Sequence, residues 1–204
     1  MKKNSLELKI YKTIFNMLLI VAIVVIGMIA HKYIGENENE KESQDAVEAF
    51  SNIDFSEITE ESKEQLEYKG YKVIGIVKIP KINIEYPILE IGNIDPESAK
   101  EPMKISVIKY WGEKVNDYGN LSLAGHNNKS GTMFGKTKKL SEGDIVELSD
   151  LEGKTIQYSI YNIFTTSPND LNILIPRDEN VREVTLITCT NGNKQRLILK
   201  AQEI

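Results

Sequence analysis

Hydrophobic and polar positions divide the chain into three textures. Residues Ile14 to Ala30 read IFNMLLIVAIVVIGMIA, uncharged and apolar around nearly the whole circumference of a helix. At about 1.5 Å per residue the run covers about 25 Å, and extension to Ile34 brings it to about 30 Å, the depth of a bilayer's hydrocarbon. The pattern predicts a transmembrane helix over 14–34, with His31, Lys32 and Tyr33 at its interfacial end. From Gly35 to about Gly70 the texture turns polar and acidic, which predicts a solvated tether or weak helix, with a short amphipathic helix over Ala46 to Phe50. After Gly70, short β-branched runs are separated by Gly, Asn, Asp and Pro, the pattern of an all-β barrel or sandwich. Strands are expected near 72–79, 82–89, 104–109, 120–125, 144–149, 154–164, 182–189 and 195–203. Short helical turns are expected at Asp95–Lys100, capped by Asp95 with Pro96 at its first position, and at Gly131–Lys138.

Charge sets the direction of the apolar segment. Lys2, Lys3, Lys9 and Lys12 precede it, while Glu36, Glu38, Glu40 and Glu42 follow. A lysine bias of this kind keeps the N-terminus cytoplasmic and exports the rest. Met28-Ile29-Ala30 lacks the small-x-small pattern of a signal-peptide cleavage site, so a retained anchor is favoured. The 204 residues, 41% hydrophobic and 27% charged, suit one globular domain with an appendage, and no fixed-period repeat is visible. A net charge of -5 without any sustained basic run argues against a nucleic-acid partner.

Candidate chemistry narrows to a few residues. Cys189 is the only cysteine, so it forms no internal disulfide or cysteine-cluster metal site and is either a packed small hydrophobe or a reactive thiol. The chain has two histidines, His31 at the membrane surface and His126 in the β region, which leaves His126 as the candidate base. Each reactive residue closes a strand, in LSLAGHN (121–127) and TLITCT (185–190). Alternation places Thr185, Ile187 and Cys189 on one strand face and Val184, Leu186 and Thr188 on the other. Asn191-Gly192 predicts a two-residue hairpin loop in which Cys189 faces Lys194 and Ile187 faces Arg196. Arg196 then shares the face of Cys189 as a diagonal neighbour, whereas a register longer by one residue would send it to the other face.

The stretch from 70 to 204 resembles the sortase family, through IGIVKIPKINIEYPI (74–88), GNLSLAGHN (119–127) and TLITC (185–189) followed by Arg196. The resemblance implies an eight-stranded β-barrel with short helices, with Cys189 as nucleophile, His126 as acid/base partner and Arg196 as third active-site residue. The plan is then a cytoplasmic N-terminus over 1–13, an anchor over 14–34, an acidic tether over 35–69 and a catalytic domain over 70–204. The short Cys189–Arg196 spacing looks most like class D, with class A second and class C third. Asp95-Pro96 follows the first strands and is succeeded by Glu97, unlike the Asp-Pro-aromatic lid motif of the pilin-polymerising class.

The implied activity is cysteine transpeptidation: an LPxTG-like sorting signal at the C-terminus of a surface protein is cleaved, and its acyl group passes to a peptidoglycan precursor or another amine. The implied location is the cell membrane of a Gram-positive type cell, single-pass, with the catalytic domain outside. Thr188 and Thr190 flank the thiol and, with Leu171, Ile173, Leu174, Ile175 and Pro176 of the preceding loop, form the candidate substrate-binding set; the Thr190 amide is a candidate oxyanion donor. No cofactor or metal ligand set is specified, although Glu142, Asp144 and Asp178 are compatible with calcium. The alternatives are a pilin-polymerising sortase and a tethered, non-catalytic β-barrel binding module. A papain-like hydrolase is disfavoured because its cysteine precedes its histidine, and the caspase Gln-Ala-Cys pattern is absent.

Overall fold

Helix α1 runs from Ser5 to Phe50 and contains, over Ile10–Gly35, an apolar stretch of mean hydropathy 2.7, long enough to cross a membrane. The computed structural model describes residues 5–50, 66–92, 95 and 97–204. Pro96 and residues 51–65, on which parts of the turn and tether expectations fall, lie outside the described residues. The chain forms two compact units, 1–39 and 40–204. In the first unit Ile14, Leu18, Ile20 and Ile26 are all exposed, as suits side chains whose solvent is lipid rather than a protein core.

The second unit is all-β. Its strands are β1 (Glu67–Tyr68), β2 (Tyr71–Ile79), β3 (Ile84–Leu89), β4 (Val107–Gly112), β5 (Gly119–Ala124), β6 (Ile145–Asp150), β7 (Thr155–Thr166), β8 (Arg182–Thr190) and β9 (Gln195–Glu203). They pair in the order β1-β2-β3-β4-β5-β8-β9-β7-β6, and β6 returns to β2, so β2 to β9 close an eight-stranded barrel with the two-residue β1 at one edge. Closure removes the free sheet edges that would invite pairing with other chains. Two neighbouring pairs are parallel, β3 with β4 and β5 with β8.

Alternation along β8 sorts side chains into two clusters. Val184 and Leu186 enter the principal core with Ile88, Leu123, Phe134 and Leu199. Ile187 enters a second cluster with Ala124, Ile198 and Ile173, on the opposite face of the sheet. Full burial of one such aliphatic side chain contributes about 1.5–3 kcal/mol. The second cluster also takes Ala46 and Phe50 from the end of α1, with Phe50 edge-on to Tyr68 at 5.5 Å between ring centroids. The end of α1 thus takes the helical alternative of the expectation, and the amphipathic helix expected over Ala46 to Phe50 is present: Ser43, Ala46 and Phe50 recur at helical spacing and give the acidic helix one buried face, where a tether would be solvated all round.

A correction concerns β4, which spans Val107–Gly112 rather than 104–109. Lys104 and Ile105 belong to helix α2, Lys100–Ile105. Pro102 is tolerated in its first turn, where a backbone N–H has no intrahelical partner anyway. Ser106 then turns the chain extended and donates its hydroxyl to the Pro87 carbonyl at 2.5 Å. Asp95 does accept from the amides of Glu97 and Ser98, as a capping residue should.

Candidate active site

The β8–β9 hairpin decides the geometry around the thiol. Its loop is Asn191 to Lys194, four residues rather than two, with Cys189 directly opposite Arg196 and Thr190 opposite Gln195. Asn191, Gly192 and Asn193 all adopt positive φ (49°, 62° and 69°), which Asn and Gly accept more readily than other residues. The expected pairing of Cys189 with Lys194 is thus corrected by two residues. An even slip preserves the face, so Arg196 remains on the side of Cys189 and moves from the diagonal to the facing position. Directly opposed residues have Cα atoms about 4.5–5.5 Å apart. The guanidinium Nη1 rests on the carbonyls of Asn193 and Gln195, both at 3.3 Å, and Thr166 of β7 lies on its other flank.

His126 reaches this row through the parallel β5–β8 pair. Ala124 faces Ile187 in the last pair of the ladder, and His126 and Cys189 each lie two residues beyond that pair on their own chains. Hydrogen bonds hold the two chains together beyond the last paired residues. The Gly125 amide donates to the Ile187 carbonyl at 3.1 Å, the Thr188 hydroxyl to the Gly125 carbonyl at 2.8 Å, and Asn127 Nδ2 to the Cys189 carbonyl at 2.7 Å. Gly125 is confined from the other side, because a Cβ there would meet the Phe134 ring at 2.9 Å. Burial, with the positive charge of Lys104 adding to it, holds the His126 pKa below the ordinary imidazole value and favours the neutral ring.

The substrate-binding expectations divide. Thr188 is buried on the face of β8 opposite Cys189 and its hydroxyl is committed to Gly125, so it ties strands together instead of facing a substrate. Thr190 stands half-buried beside the thiol. In the loop between β7 and β8, Leu171 to Leu174 form a 3-10 turn headed by Asp170, whose side chain accepts from the Asn172 amide. Ile173 is buried in the second cluster and anchors the loop, again unlike a groove residue. Leu174 and Pro176 are half-buried, while Leu171 and Ile175 are 66% and 60% exposed and free to meet a partner.

Asn127 was legible only as the residue after a histidine; nothing in the sequence pointed to its bond with the cysteine carbonyl. Among the described residues no three His, Cys, Asp or Glu side chains stand together as a metal site. Asp144 is engaged by Lys81 at 2.8 Å and by the Ser141 amide at 2.7 Å. A cavity of about 560 Å³ lined by Lys72, Asn116, Asp150 and Arg182 lies at the start of β8, about 23 Å from Cys189 by strand rise, and takes no part in this site.

The sortase domain family matches residues 77–204, which include His126, Cys189 and Arg196 and all of the barrel except the start of β2. The chain belongs to the sortase family. It is a cysteine transpeptidase, as that membership entails. Sortase A of Staphylococcus aureus is 22% identical over 191 residues, covering 91% of this chain and 90% of the relative. Sortase D of Bacillus subtilis is 28% identical over 133 residues, covering 64% of this chain and 62% of the relative. Among solved structures, the sortase D5 transpeptidase of Clostridium perfringens is 29% identical and superposes with a TM-score of 0.61 over 80% of this chain and 99% of its own. Sortase C1 of GBS pilus island 1, at 24% identity, TM-score 0.57 and coverage of 84% and 83%, shares the fold. The eight-stranded barrel and the sortase resemblance read from the sequence are both borne out.

Proposed function

We propose that this sortase cleaves an LPxTG-like signal at the C-terminus of surface proteins and transfers the acyl group to a peptidoglycan precursor or another amine, with Cys189 as nucleophile. The observation that carries this reading is that Cys189 on β8 faces Arg196 on β9, while the segment just past β5 that contains His126 is tied to β8 on its other side, through the bonds of Thr188 to Gly125 and of Asn127 to the Cys189 carbonyl. His126, neutral at rest, takes the Cys189 thiol proton as the sulfur attacks the carbonyl carbon of the Thr–Gly bond, and the tetrahedral oxyanion collapses as the resulting imidazolium protonates the departing glycine amine. A thioacyl enzyme remains. The incoming amine attacks it and loses a proton to His126, which returns that proton to the departing sulfur and restores the thiol.

Arg196 offers a planar fork of donors to the oxyanion or to substrate carbonyls, and the Thr190 amide is a second donor. Exposed Leu171 and Ile175 fit a role as apolar contacts for the Leu and Pro of the signal. Kinship with a sortase D5 transpeptidase at 29% identity supports the class D assignment.

The N-terminal helix is the anchor, with the lysine-rich end cytoplasmic and the barrel outside. Because Cys189 is the only cysteine, a membrane-impermeant thiol reagent applied to intact cells tests orientation and nucleophile together. Labelling at Cys189 with loss of sorting-peptide cleavage is expected. Cys189→Ala should abolish cleavage with an unchanged melting temperature; turnover in that variant would overturn the nucleophile assignment, and protection in intact cells would reverse the topology.

A further inference from the structure

Below the row of His126, Cys189 and Arg196, the same sheet face descends in ordered steps. The next row is apolar, with Ala124 facing Ile187 and Ile187 facing Ile198. Under it the face turns polar: Ser122, Thr185 and Lys200 form one row, and Asn120, Glu183 and Gln202 the next. Asn120, Glu183 and Lys200 are only 3%, 3% and 8% exposed, an unusual set to bury side by side.

Their polar atoms converge on one short piece of backbone. Asn120 Nδ2 donates to the Leu174 carbonyl at 2.9 Å, and Lys200 Nζ donates to the Ile175 carbonyl at 3.0 Å. The Glu183 carboxylate accepts from the Arg177 amide and from the Tyr161 hydroxyl. Asn120 is itself oriented by Thr185, whose hydroxyl donates to its Oδ1 at 2.8 Å. Arg177 stacks over the Tyr161 ring at 4.8 Å and donates to Gln202 at 2.7 Å. Three strands thus hold two successive carbonyls and a nearby amide of the β7–β8 loop.

Backbone in a surface loop ordinarily finds its partners in water. Burying a lysine and a glutamate is costly, and burial does weigh against the charged form of Lys200 while Glu183 favours it. Stability alone is served as well by apolar side chains of similar volume. What this arrangement adds is a fixed backbone path for residues 174–177, and on that path depend the directions in which Leu171 and Ile175 point.

We propose that Asn120, Glu183 and Lys200 are positioning residues for peptide recognition, holding the β7–β8 loop so that Leu171 and Ile175 meet the apolar residues of the sorting signal. This rests on the reading of Cys189 as nucleophile and of the loop as the groove wall. The clamp acts through the loop and contributes to binding of the peptide, not to bond cleavage.

The test is Lys200→Met in the detergent-solubilised full chain, which keeps the aliphatic stem and removes the donor. Three properties are read: hydrogen-exchange protection over 171–178, KM and kcat for a fluorogenic LPxTG-like peptide, and the alkylation rate of Cys189 by iodoacetamide. Expected are loss of loop protection, a rise of about 3–10-fold in KM, kcat within twofold, unchanged alkylation and no fall in melting temperature. Asn120→Ala, which frees the neighbouring carbonyl, should repeat the pattern and decides the matter if the lysine variant fails to fold. Unchanged protection overturns the clamp. Lost protection with unchanged KM overturns its role in recognition, and a fall in kcat at constant KM places the residues in the chemistry instead. Failure of wild-type protein to cleave the peptide would count against the transpeptidase substrate reading, while the exchange data would still decide the clamp.

Discussion

Cys189 and Arg196 face each other directly across β8 and β9, separated along the chain by six residues that include a four-residue loop in which Asn191, Gly192 and Asn193 are left-handed. The pairing makes the thiol–guanidinium relation a property of the sheet, not of a mobile loop. Lengthening the hairpin by one residue would reverse it, because an odd slip exchanges the faces of a strand.

Arg196→Ala should lower kcat/KM by about 10²–10³-fold, the scale for removing a preorganised oxyanion donor. Arg196→Lys should recover little of that, since a point charge lacks the planar fork. Peptide cleavage assays and melting curves check this, with melting temperatures within a few degrees of wild type. Near-complete rescue by lysine would show that charge alone suffices.

His126 gives a pH prediction. Burial and Lys104 hold its pKa below about 6.5, the value of an unfolded-state imidazole. Protonation therefore costs more in the folded chain, and stability should be unaffected above about pH 6.5 and fall as the pH drops from there through the folded value. His126→Gln should remove that part of the acid slope, and Lys104→Met should move the ring titration upward. Proton NMR of the ring, assigned with a His31→Gln control, measures the shift; a titration unmoved by Lys104→Met would refute the charge coupling.

Asn127→Ala should reduce kcat/KM about tenfold with a small effect on melting, because the bond to the Cys189 carbonyl orients the backbone that carries the thiol. The alkylation rate of Cys189 should change in the same variant. Wild-type values for both would reduce Asn127 to a loop residue.

Ser43→Ala should stabilise the protein. The Ser43 hydroxyl is the one buried side-chain polar atom without a partner among the described residues, so its removal relieves an uncompensated desolvation of about 1 kcal/mol or more. A rise of a few degrees in melting temperature is expected. A fall would show that the end of α1 packs on the barrel differently.

Much of the site was legible because its residues are chemically rare: one cysteine, one histidine in the β domain, and an arginine at a distance that keeps sheet parity. The hairpin register was not, because Asn191-Gly192 signals a left-handed pair without revealing that Asn193 continues it. Local chemistry fixes a turn's conformation more readily than its length. The packed end of α1 was obscured by composition, since glutamates crowd the same turns that bury Ala46 and Phe50. Thr188 and Ile173 turn inward for different reasons: strand alternation buries Thr188 although it adjoins the thiol, and packing of the β7–β8 loop buries Ile173. The barrel strands were read closely, with β9 placed at its observed bounds, because alternation over eight or nine residues leaves little freedom of assignment.

The parallel pairing of β5 with β8 has a kinetic side. The segments that carry His126 and Cys189 come together only after the chain between them has gone out through β6 and β7 and come back, with the Asn127 to Cys189 bond spanning 62 residues. Contacts of such separation form late, after the loop-closure entropy has been met. Until then Cys189 has Arg196 beside it across the local hairpin but no histidine within reach. On the proposed assignment, reactivity appears at the step that seats the β8–β9 hairpin against β5, so a nascent or partly opened chain cannot attack peptides indiscriminately.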